Sequence, residues 1–220
     1  MRRVKLTADR RTSRRRRQRP TLVLGLTGSI AMGKSTAAAL LKQLGIPVFD
    51  ADAVVHGLLG PGGKALPAVA KHFAGVVGKD GVDRKALGAK VFADAKALKD
   101  LEAITHPLVG AARTQFLAAA GLRRHSIVAL DVPLLFEGKT RHLYDAVVVI
   151  SAPEFLQRQR ALARAAMTPA RLKGILARQW PDARKRRHAD AVIPSSLGKR
   201  ETLRRLRQFL KLLTAKHHRS

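Results

Sequence analysis

The sequence predicts an α/β fold of three layers, in which a parallel sheet of five strands lies between helices on both faces. Two observations lead to this prediction. Short apolar runs rich in branched residues alternate along the chain with longer stretches of helical periodicity. The apolar character of the runs is typical of strands buried on both faces, and the connections are long enough to hold helices, so neighbouring strands are expected to run parallel.

Five apolar runs are the predicted strands, at residues 21–27, 46–49, 126–130, 146–150 and 191–193. Each run is short, and almost all of its residues are apolar. We expect the second strand to lie beside the first in the sheet, so that their carboxyl ends meet at the same edge.

Two regions of the chain are longer than a simple connection between strands requires. Residues from about 54 to 121 carry several helical patterns, which predicts an inserted helical lobe between the second and third strands. After the fourth strand, residues 155–164 and 169–179 are predicted to form an arginine-rich pair of helices. The second of these has a good start signal, because Thr168 can cap the free amides and Pro169 fits the first turn.

The last predicted helix is amphipathic, with apolar side chains on one face and a basic outer side. Its apolar positions are Leu203, Leu206, Phe209, Leu210 and Leu213. We therefore expect this helix to pack against the rest of a single domain at residues 21–214, and we assign 215–220 to a tail.

The composition is that of a globular protein. The chain has 220 residues, of which 46% are hydrophobic, and this is enough for the core of one substantial domain. No run approaches the roughly 18 apolar residues of a membrane-spanning helix, and no apolar stretch of signal-peptide length follows the N-terminus. The sequence has no cysteine, which excludes disulfides and thiolate metal sites and suits a reducing compartment. We expect a cytoplasmic protein that does not enter a membrane.

The charge is strongly positive, with 43 Lys and Arg residues against 15 Asp and Glu residues and a formal net charge of +28. Such a field attracts polyanions, but it does not distinguish nucleic acid, an anionic membrane surface and small substrates with several phosphates. Residues 1–20 contain the run RRTSRRRRQRP and lack apolar periodicity, so we expect a disordered basic arm. Nonspecific polyanion binding by this arm, a solvated tail and a start codon placed too early all stay open.

A glycine-containing segment, GLTGSIAMGKST, begins at the end of the first predicted strand. Gly28, Gly33, Lys34 and Ser35 fit the pattern G-x-x-x-x-G-K-[ST], with an apolar strand before it and a helix that begins at about Lys34. Such a loop turns backbone N–H groups inward, and the helix start adds partial positive charge. The segment therefore predicts a phosphate cradle, with an ordinary turn between strand and helix as the alternative.

The whole loop is expected to hold ATP. The predicted ATP-binding residues of the loop are Gly28, Ser29, Ile30, Ala31, Met32, Gly33, Lys34, Ser35 and Thr36. Within this set, Lys34 is expected to reach the β and γ phosphates, and the Ser35 hydroxyl to ligate Mg²⁺, which takes oxygen ligands.

Two carboxylates follow the second predicted strand in the segment VFDADAVVH. Asp50 and Asp52 come at the carboxyl end of that strand, where ligands bind in open parallel sheets. In a kinase, a carboxylate at this place accepts the proton of the acceptor hydroxyl. Either residue could instead cap the following helix. We predict capping for Asp50 and catalysis for Asp52.

Together the motifs resemble those of the dephospho-CoA kinase family. The similarity lies in five segments in order, GLTGSIAMGKST, FDADAVVH, LEAITHPLV, DVPLLFE and ARQWPDARKRRHADAVI, and runs from about residue 22 to 198. The resemblance implies a P-loop kinase fold with the helical lobe at about 54–121 and a helical lid at about 155–185. It also implies phosphorylation of the ribose 3′-hydroxyl of dephospho-CoA by ATP with Mg²⁺, the last step of coenzyme A synthesis, without an obligate protein partner.

The resemblance also implies roles for single residues. Asp52 matches the family's catalytic base, and Asp131 matches the carboxylate that holds the waters of Mg²⁺. Arg160 and Arg164 match the paired arginines of the lid and would bind ATP, and Arg164 joins Asp52 and Lys34 as a catalytic residue. The residues implied in substrate binding are Asp52, His56, His106, Pro133, Leu134, Leu135, Phe136 and Glu137.

Structural alternatives stay open for several of these residues. Residues 134–136 could be plain core, as apolar residues after a strand usually are. The two histidines are better explained on sequence alone as hydrogen-bonded structural residues, and the lid arginines could be a solvated helix face. Asp190 is predicted to be structural and to position the last strand.

The chain departs from the family pattern at three places. Pro194-Ser195 stands where the family usually has Asp-Asn, which makes the contacts near the adenine uncertain. Gly110 replaces a common arginine, and Arg184 replaces a common acidic residue.

Two rival functions stay open. One is a different small-molecule or nucleoside kinase with the same loop, and the other is a basic nucleic-acid-binding protein in which the loop is incidental. Against the second, an aromatic content of 4% offers few stacking platforms for single strands.

Overall fold

The structure, a computed structural model, describes residues 21–138 and 140–219, so the predicted basic arm at residues 1–20 lies outside the described residues. The strands of this part of the chain are β1 (Leu22–Thr27), β2 (Val48–Asp50), β3 (Val77–Gly78), β4 (Gly81–Val82), β5 (Ile127–Asp131), β6 (Ala146–Ser151) and β7 (Ala191–Pro194). Its α-helices are α1 (Lys34–Gln43), α2 (Ala51–Leu59), α3 (Leu66–His72), α4 (Arg84–Ala93), α5 (Ala95–Leu122), α6 (Glu154–Leu162), α7 (Pro169–Ala177), α8 (Asp182–Arg187) and α9 (Gly198–Arg219). None of the helices in these two ranges is both long and apolar enough to cross a membrane.

The main sheet has five parallel strands in the order β2-β5-β1-β6-β7, which confirms the predicted three-layer α/β fold. The expectation that the second strand lies beside the first was wrong, because β5 pairs with both and separates them. The physical reason is burial. β5 (IVALD) is longer than β2 (VFD) and has more apolar residues, so it gains more from the interior position, where all five of its residues are buried, and β2 takes an edge.

Each face of the main sheet is covered by a hydrophobic cluster. On one face, Leu24, Leu26 and Val148 pack with apolar residues of α1 and α9. The five apolar positions predicted for the last helix all lie in or against this cluster, which confirms its amphipathic pattern. On the other face, Phe49 and Leu130 pack with residues of α5 and with the segment after β5.

The region between β2 and β5 has its own apolar cluster. Val69, Phe73 and Leu87 form its centre, and residues of α2 and α5 pack against it. This region also contains the antiparallel pair β3 and β4, which the sequence did not predict. These strands have two residues each, too few for an alternating pattern to be recognised.

The arginine-rich pair of helices is present as α6 and α7. The Thr168 hydroxyl accepts a hydrogen bond from the backbone N–H of Arg171 at 3.2 Å, and Pro169 begins α7, so the predicted start signal is confirmed. Helix α8 was not predicted. Its six residues, DARKRR, are too polar and too few to show a helical apolar pattern.

Candidate active site

The loop between β1 and α1 owes its shape to two glycines. Gly33 has φ +90°, in the left-handed region that glycine adopts without strain. At Gly28, an added Cβ would lie 2.6 Å from the backbone oxygen of Ile150, so only glycine fits there. Ala31 also lies in the left-handed region, with φ 59°, where a side chain costs about 1–2 kcal/mol. The sequence therefore accepts local strain to build this loop.

The start of α1 is open to an anion. Gly33 occupies the cap position, no side chain caps the free amides, and the first turn contains no acidic residue. The unpaired N–H groups and the partial positive charge of a helix start therefore face the loop without a competing protein group. This arrangement fits the phosphate cradle that the sequence predicts, because a helix start with free amides attracts an anion.

A cavity of about 540 Å³ opens over this loop. It is lined by residues 28–36, Asp52, Pro133, Arg160, Arg164, Ile175, Gln179, Ser195, Gly198, Lys199 and Thr202. The structure thus brings together the loop, the predicted base and both predicted lid arginines in one space. The contributions of Gln179 and of Gly198, Lys199 and Thr202 in the first turns of α9 were not predicted from the sequence.

The loop lysine is paired with a carboxylate from the adjacent strand. The Nζ of Lys34 donates a hydrogen bond to Oδ1 of Asp131, the last residue of β5. Asp131 is only 3% exposed. Burial raises the pKa of the Asp131 carboxyl; the hydrogen bond and charge of Lys34 oppose the shift, and the charges of Asp50 and Asp52 reinforce it. Three carboxylates therefore share this edge of the sheet with one lysine.

The two aspartates after β2 have different surroundings. Oδ1 of Asp50 accepts a hydrogen bond from the backbone N–H of Ala53 at 2.9 Å and caps α2, as predicted. Asp52 lies in the first turn of α2, is exposed, and lines the cavity. Within the described residues its carboxylate accepts no hydrogen bond. Asp52 is therefore the carboxylate that an incoming hydroxyl can reach.

Glutamines hold the loop from the side of α6 and α7. The Nε2 of Gln157 donates to the backbone oxygen of Ile30 at 2.9 Å, and the Ile30 N–H donates to Oε1 of Gln179 at 3.0 Å. Both polar groups of Ile30 are thus satisfied by side chains that are distant in sequence. Gln179 lies in the segment ARQWPDARKRRHADAVI, but no role was predicted for it, and no motif or spacing pointed to Gln157.

Two of the residues implied in substrate binding belong to the core. Leu135 has no exposed surface and Phe136 is 5% exposed, so neither lines the cavity; the alternative of plain core is correct for both. Leu134 is 45% exposed and lies outside the cavity lining, whereas Pro133 lines it. Oε1 of Glu137 is occupied by two donors, Lys185 Nζ at 2.9 Å and the Trp180 N–H at 2.6 Å.

The two histidines are exposed on α2 and α5, outside the cavity lining. Neither His56 nor His106 makes a hydrogen bond with another described residue, so the alternative of hydrogen-bonded structural histidines was wrong within this part of the chain.

The predicted structural role of Asp190 is confirmed. Its Oδ2 accepts hydrogen bonds from the Val147 N–H and from Arg141 Nη2, both at 2.7 Å, and this ties the start of β7 to β6.

The chain is similar to known proteins over most of its length. The dephospho-CoA kinase family model matches residues 22–200 of the chain. A dephospho-CoA kinase of Rhodospirillum rubrum is 54% identical over 190 residues, which cover 86% of this chain and 90% of that protein. A dephospho-CoA kinase of Paramagnetospirillum magneticum is 58% identical over 164 residues, which cover 74% of this chain and 77% of that protein.

Solved structures give the same relationship. The crystal structure of TT1252 from Thermus thermophilus aligns with a TM-score of 0.77 at 31% identity, over 90% of this chain and 98% of that one. The dephospho-CoA kinase from Campylobacter jejuni aligns with a TM-score of 0.62 at 25% identity, over 88% of this chain and 97% of that one. With the phosphate loop, the carboxylates and the lid arginines placed as described, the chain belongs to the dephospho-CoA kinase family.

Proposed function

We propose that this protein transfers the γ-phosphoryl group of ATP to the ribose 3′-hydroxyl of dephospho-CoA, giving coenzyme A and ADP. Family membership supports the choice of acceptor. The observation that carries the chemistry is that Asp52, exposed and without a hydrogen-bond partner among the described residues, lines the same cavity as the phosphate loop. Donor phosphate and acceptor hydroxyl can therefore meet in one space.

The phosphates are held mainly by the main chain. The amides at the start of α1 are open to the β and γ phosphate oxygens, as described above. The Lys34 ammonium has three N–H donors, so it can serve phosphate oxygens while it donates to Asp131. Arg160 and Arg164, from α6 and the segment after it, line the same cavity and add positive charge for the transferring phosphoryl group.

Asp52 is the proposed base. Its carboxylate orients the 3′-hydroxyl and takes its proton as the new oxygen–phosphorus bond forms and the bond from the γ phosphorus to ADP breaks. Because a carboxylate is a weak base, this proton moves late. Most of the rate then comes from holding the reacting groups in line and from stabilising charge on the phosphoryl oxygens.

The residues present fit a magnesium ion. The Ser35 hydroxyl and the Asp131 carboxylate supply hard oxygen donors beside the phosphate loop, the ligand type that Mg²⁺ prefers. Within the two described ranges, no group of three or more His, Cys, Asp or Glu side chains is placed to hold a metal. Magnesium would therefore bind with the nucleotide, through its phosphates and waters, and would supply positive charge for the β and γ oxygens.

The single domain combines a catalytic unit, a substrate lobe and a lid. Residues 21–214 form the catalytic unit, with residues 54–121 as the substrate lobe and residues 155–185 as a lid whose closure excludes water. Pro133 lies at the acceptor side of the cavity. The enzyme acts in the cytoplasm without an obligate protein partner, and the basic arm at residues 1–20 is a candidate for nonspecific polyanion binding, with a solvated tail as the alternative.

The experiment compares Asp52→Asn with Asp50→Asn. Asparagine caps helices about as well as aspartate, and Asp52 is exposed and caps nothing, so both variants should fold. We expect Asp52→Asn to bind MgATP normally and to lose phosphoryl transfer about a hundred- to ten-thousandfold, while Asp50→Asn keeps turnover within about tenfold. Wild-type enzyme should phosphorylate dephospho-CoA in preference to a panel of nucleosides. Near-normal turnover by Asp52→Asn, or phosphorylation of a nucleoside but not of dephospho-CoA, would contradict the proposal.

A further inference from the structure

Ser195 lies at the junction of three parts of the candidate active site. It follows β7 at the carboxyl end of the sheet, and its backbone N–H donates to the Ser151 oxygen of the neighbouring strand at 2.9 Å. Its hydroxyl donates to the backbone oxygen of Met32, in the phosphate loop, at 2.7 Å. Arg160 reaches it from α6 with two N–H groups. The sequence analysis gave this position no role beyond a departure from the family pattern.

The direction of each hydrogen bond is fixed by chemistry. Arg160 has only donors, so Nη1 donates to the Ser195 Oγ at 2.9 Å and Nη2 donates to the Ser195 backbone oxygen at 3.1 Å. A serine hydroxyl has one proton. Because the hydroxyl accepts from Arg160, its single proton is free for the Met32 oxygen. The hydroxyl therefore bridges α6 and the phosphate loop.

The contact with Met32 orients a peptide of the phosphate loop. A peptide bond is planar and trans, so the Gly33 N–H points away from the Met32 carbonyl oxygen that Ser195 holds. Ser195 is also packed closely against this peptide, since a Cβ added to Gly33 would lie 2.9 Å from the Ser195 Cβ. The rotation of the Met32–Gly33 peptide is thus restrained by the Ser195 side chain at the position where the loop enters α1.

The contact with Arg160 fixes a charged group at the cavity wall. Two parallel N–H bonds to one residue hold the guanidinium plane in a defined orientation. Three of the five guanidinium donors are left for other partners. Arg160 forms no ion pair with a carboxylate of the described residues, and it lines the cavity together with Ser195. Its charge therefore stays available to an anion.

We propose that Ser195 is a positioning residue for nucleotide: its hydroxyl orients the Met32–Gly33 peptide and holds Arg160 against the phosphate loop. The inference rests on the proposed function, because it assumes that phosphates occupy this loop. Ser195 thus affects nucleotide affinity and needs no direct contact with the acceptor. Loss of the hydroxyl leaves the Met32 oxygen and one Arg160 donor without their partner.

The test uses Ser195→Ala, with Ser196→Ala as the matched control. Ser196 is the next residue, is exposed, makes no hydrogen bond with other described residues and lies outside the cavity lining. We expect Ser195→Ala to weaken MgATP binding about tenfold in equilibrium titration, the size of effect typical of one hydrogen bond to a charged group. The KM for ATP should rise in parallel, and the KM for dephospho-CoA should change less than about twofold. Ser196→Ala should match the wild type.

A second variant separates positioning from a general loss of structure. Arg160→Lys keeps the charge but cannot span both oxygens of Ser195, so it should weaken MgATP binding by a similar factor. Combining it with Ser195→Ala should add less than about threefold, because both changes break the same contact. Full additivity, or Ser195→Ala with wild-type affinity, would overturn the proposal. If Ser195→Ala does not fold, wild-type affinity in Arg160→Lys would overturn it.

These measurements distinguish the inference from the proposed function. MgATP titration requires no acceptor, so it tests Ser195 even if dephospho-CoA is not the substrate. If wild-type protein binds MgATP and phosphorylates another hydroxyl, the acceptor is wrong and the role of Ser195 stands. If wild-type protein phosphorylates dephospho-CoA and Ser195→Ala behaves like Ser196→Ala, the acceptor stands and the role of Ser195 is refuted.

Discussion

Replacing Lys185 with methionine should destabilise the fold strongly. Lys185 is a fully buried lysine on α8, and its Nζ lies 2.9 Å from Oε1 of Glu137, in the segment after β5. The Lys185 Nζ also donates to the backbone oxygen of Pro133 at 3.4 Å. Methionine fills similar space but leaves the Glu137 carboxylate buried without its counter-charge, and Oε2 of that carboxylate has no hydrogen-bond partner among the described residues.

The magnitude follows from this geometry. Removing one member of a buried ion pair costs about 3–5 kcal/mol. Glu137 keeps the hydrogen bond from the Trp180 N–H and its side chain is 13% exposed, so we expect a value near the lower end, about 3 kcal/mol. For a chain of this size, that corresponds to a fall in Tm of about 6–12 °C.

The assay is urea unfolding followed by circular dichroism, with Tm as a second readout. The double variant Lys185→Met with Glu137→Gln should recover most of the loss, because no unpaired charge is left and the introduced amide oxygen can still accept from the Trp180 N–H. Lys173→Met, on the exposed side of α7, is the control and should stay within about 0.5 kcal/mol of wild type. A Tm change below about 2 °C in the single variant, or no recovery in the double variant, would refute the reasoning.

Two further predictions concern the phosphate loop and its neighbour. Gly28→Ala should lower the free energy of unfolding by about 1–3 kcal/mol and weaken ATP binding, because the added Cβ would lie 2.6 Å from the Ile150 backbone oxygen. The control is Gly174→Ala on α7, which should be neutral or stabilising because the space around Gly174 is open. Burial raises the pKa of Asp131 above 3.8, so folding favours its protonated form. The contribution of Asp131 to the free energy of unfolding is complete below pH 3.8. It is lost as the pH rises through the raised pKa that Asp131 has in the folded state. In metal-free urea unfolding, the wild type should therefore lose stability relative to Asp131→Asn as the pH rises above 3.8, and the opposite slope would contradict the argument.

The sequence predicted those parts of the fold that local pattern determines. The five strands are short and apolar, and the helix starts at Lys34 and Pro169 carry recognisable signals, so each was found within a few residues. The position of β2 was not predictable in this way. Strand order depends on which apolar surfaces are buried against each other, and no local pattern encodes that competition between β2 and β5.

In the candidate site too, features that depend on local sequence were predictable and contacts between distant segments were not. Asp50 and Asp52 are adjacent to a strand end, so their neighbourhood was predictable, and the cap geometry of Asp50 follows from its position before α2. Leu135 and Phe136 were predicted to line the acceptor pocket because a family motif covers them, but both side chains are buried in the hydrophobic core. Ser195 and the two glutamines at Ile30 act through single hydrogen bonds between distant segments, and such contacts leave no periodic trace in a sequence.

The position of Ser195 along the chain affects when the active site can form during translation. Met32 and Ser195 are 163 positions apart, and α9, which covers α1 and one face of the sheet, comes later still. At ribosomal speeds of about 5–20 residues per second, the phosphate loop is synthesised on the order of ten seconds before the residue that braces it. During that interval the nascent chain lacks α9, so the apolar side of α1 that packs against α9 is still exposed. Before Ser195 is synthesised the loop would bind nucleotide about tenfold more weakly, so nucleotide stabilises late folding steps more than early ones. A chaperone has time to bind the exposed apolar surface before the kinase is complete.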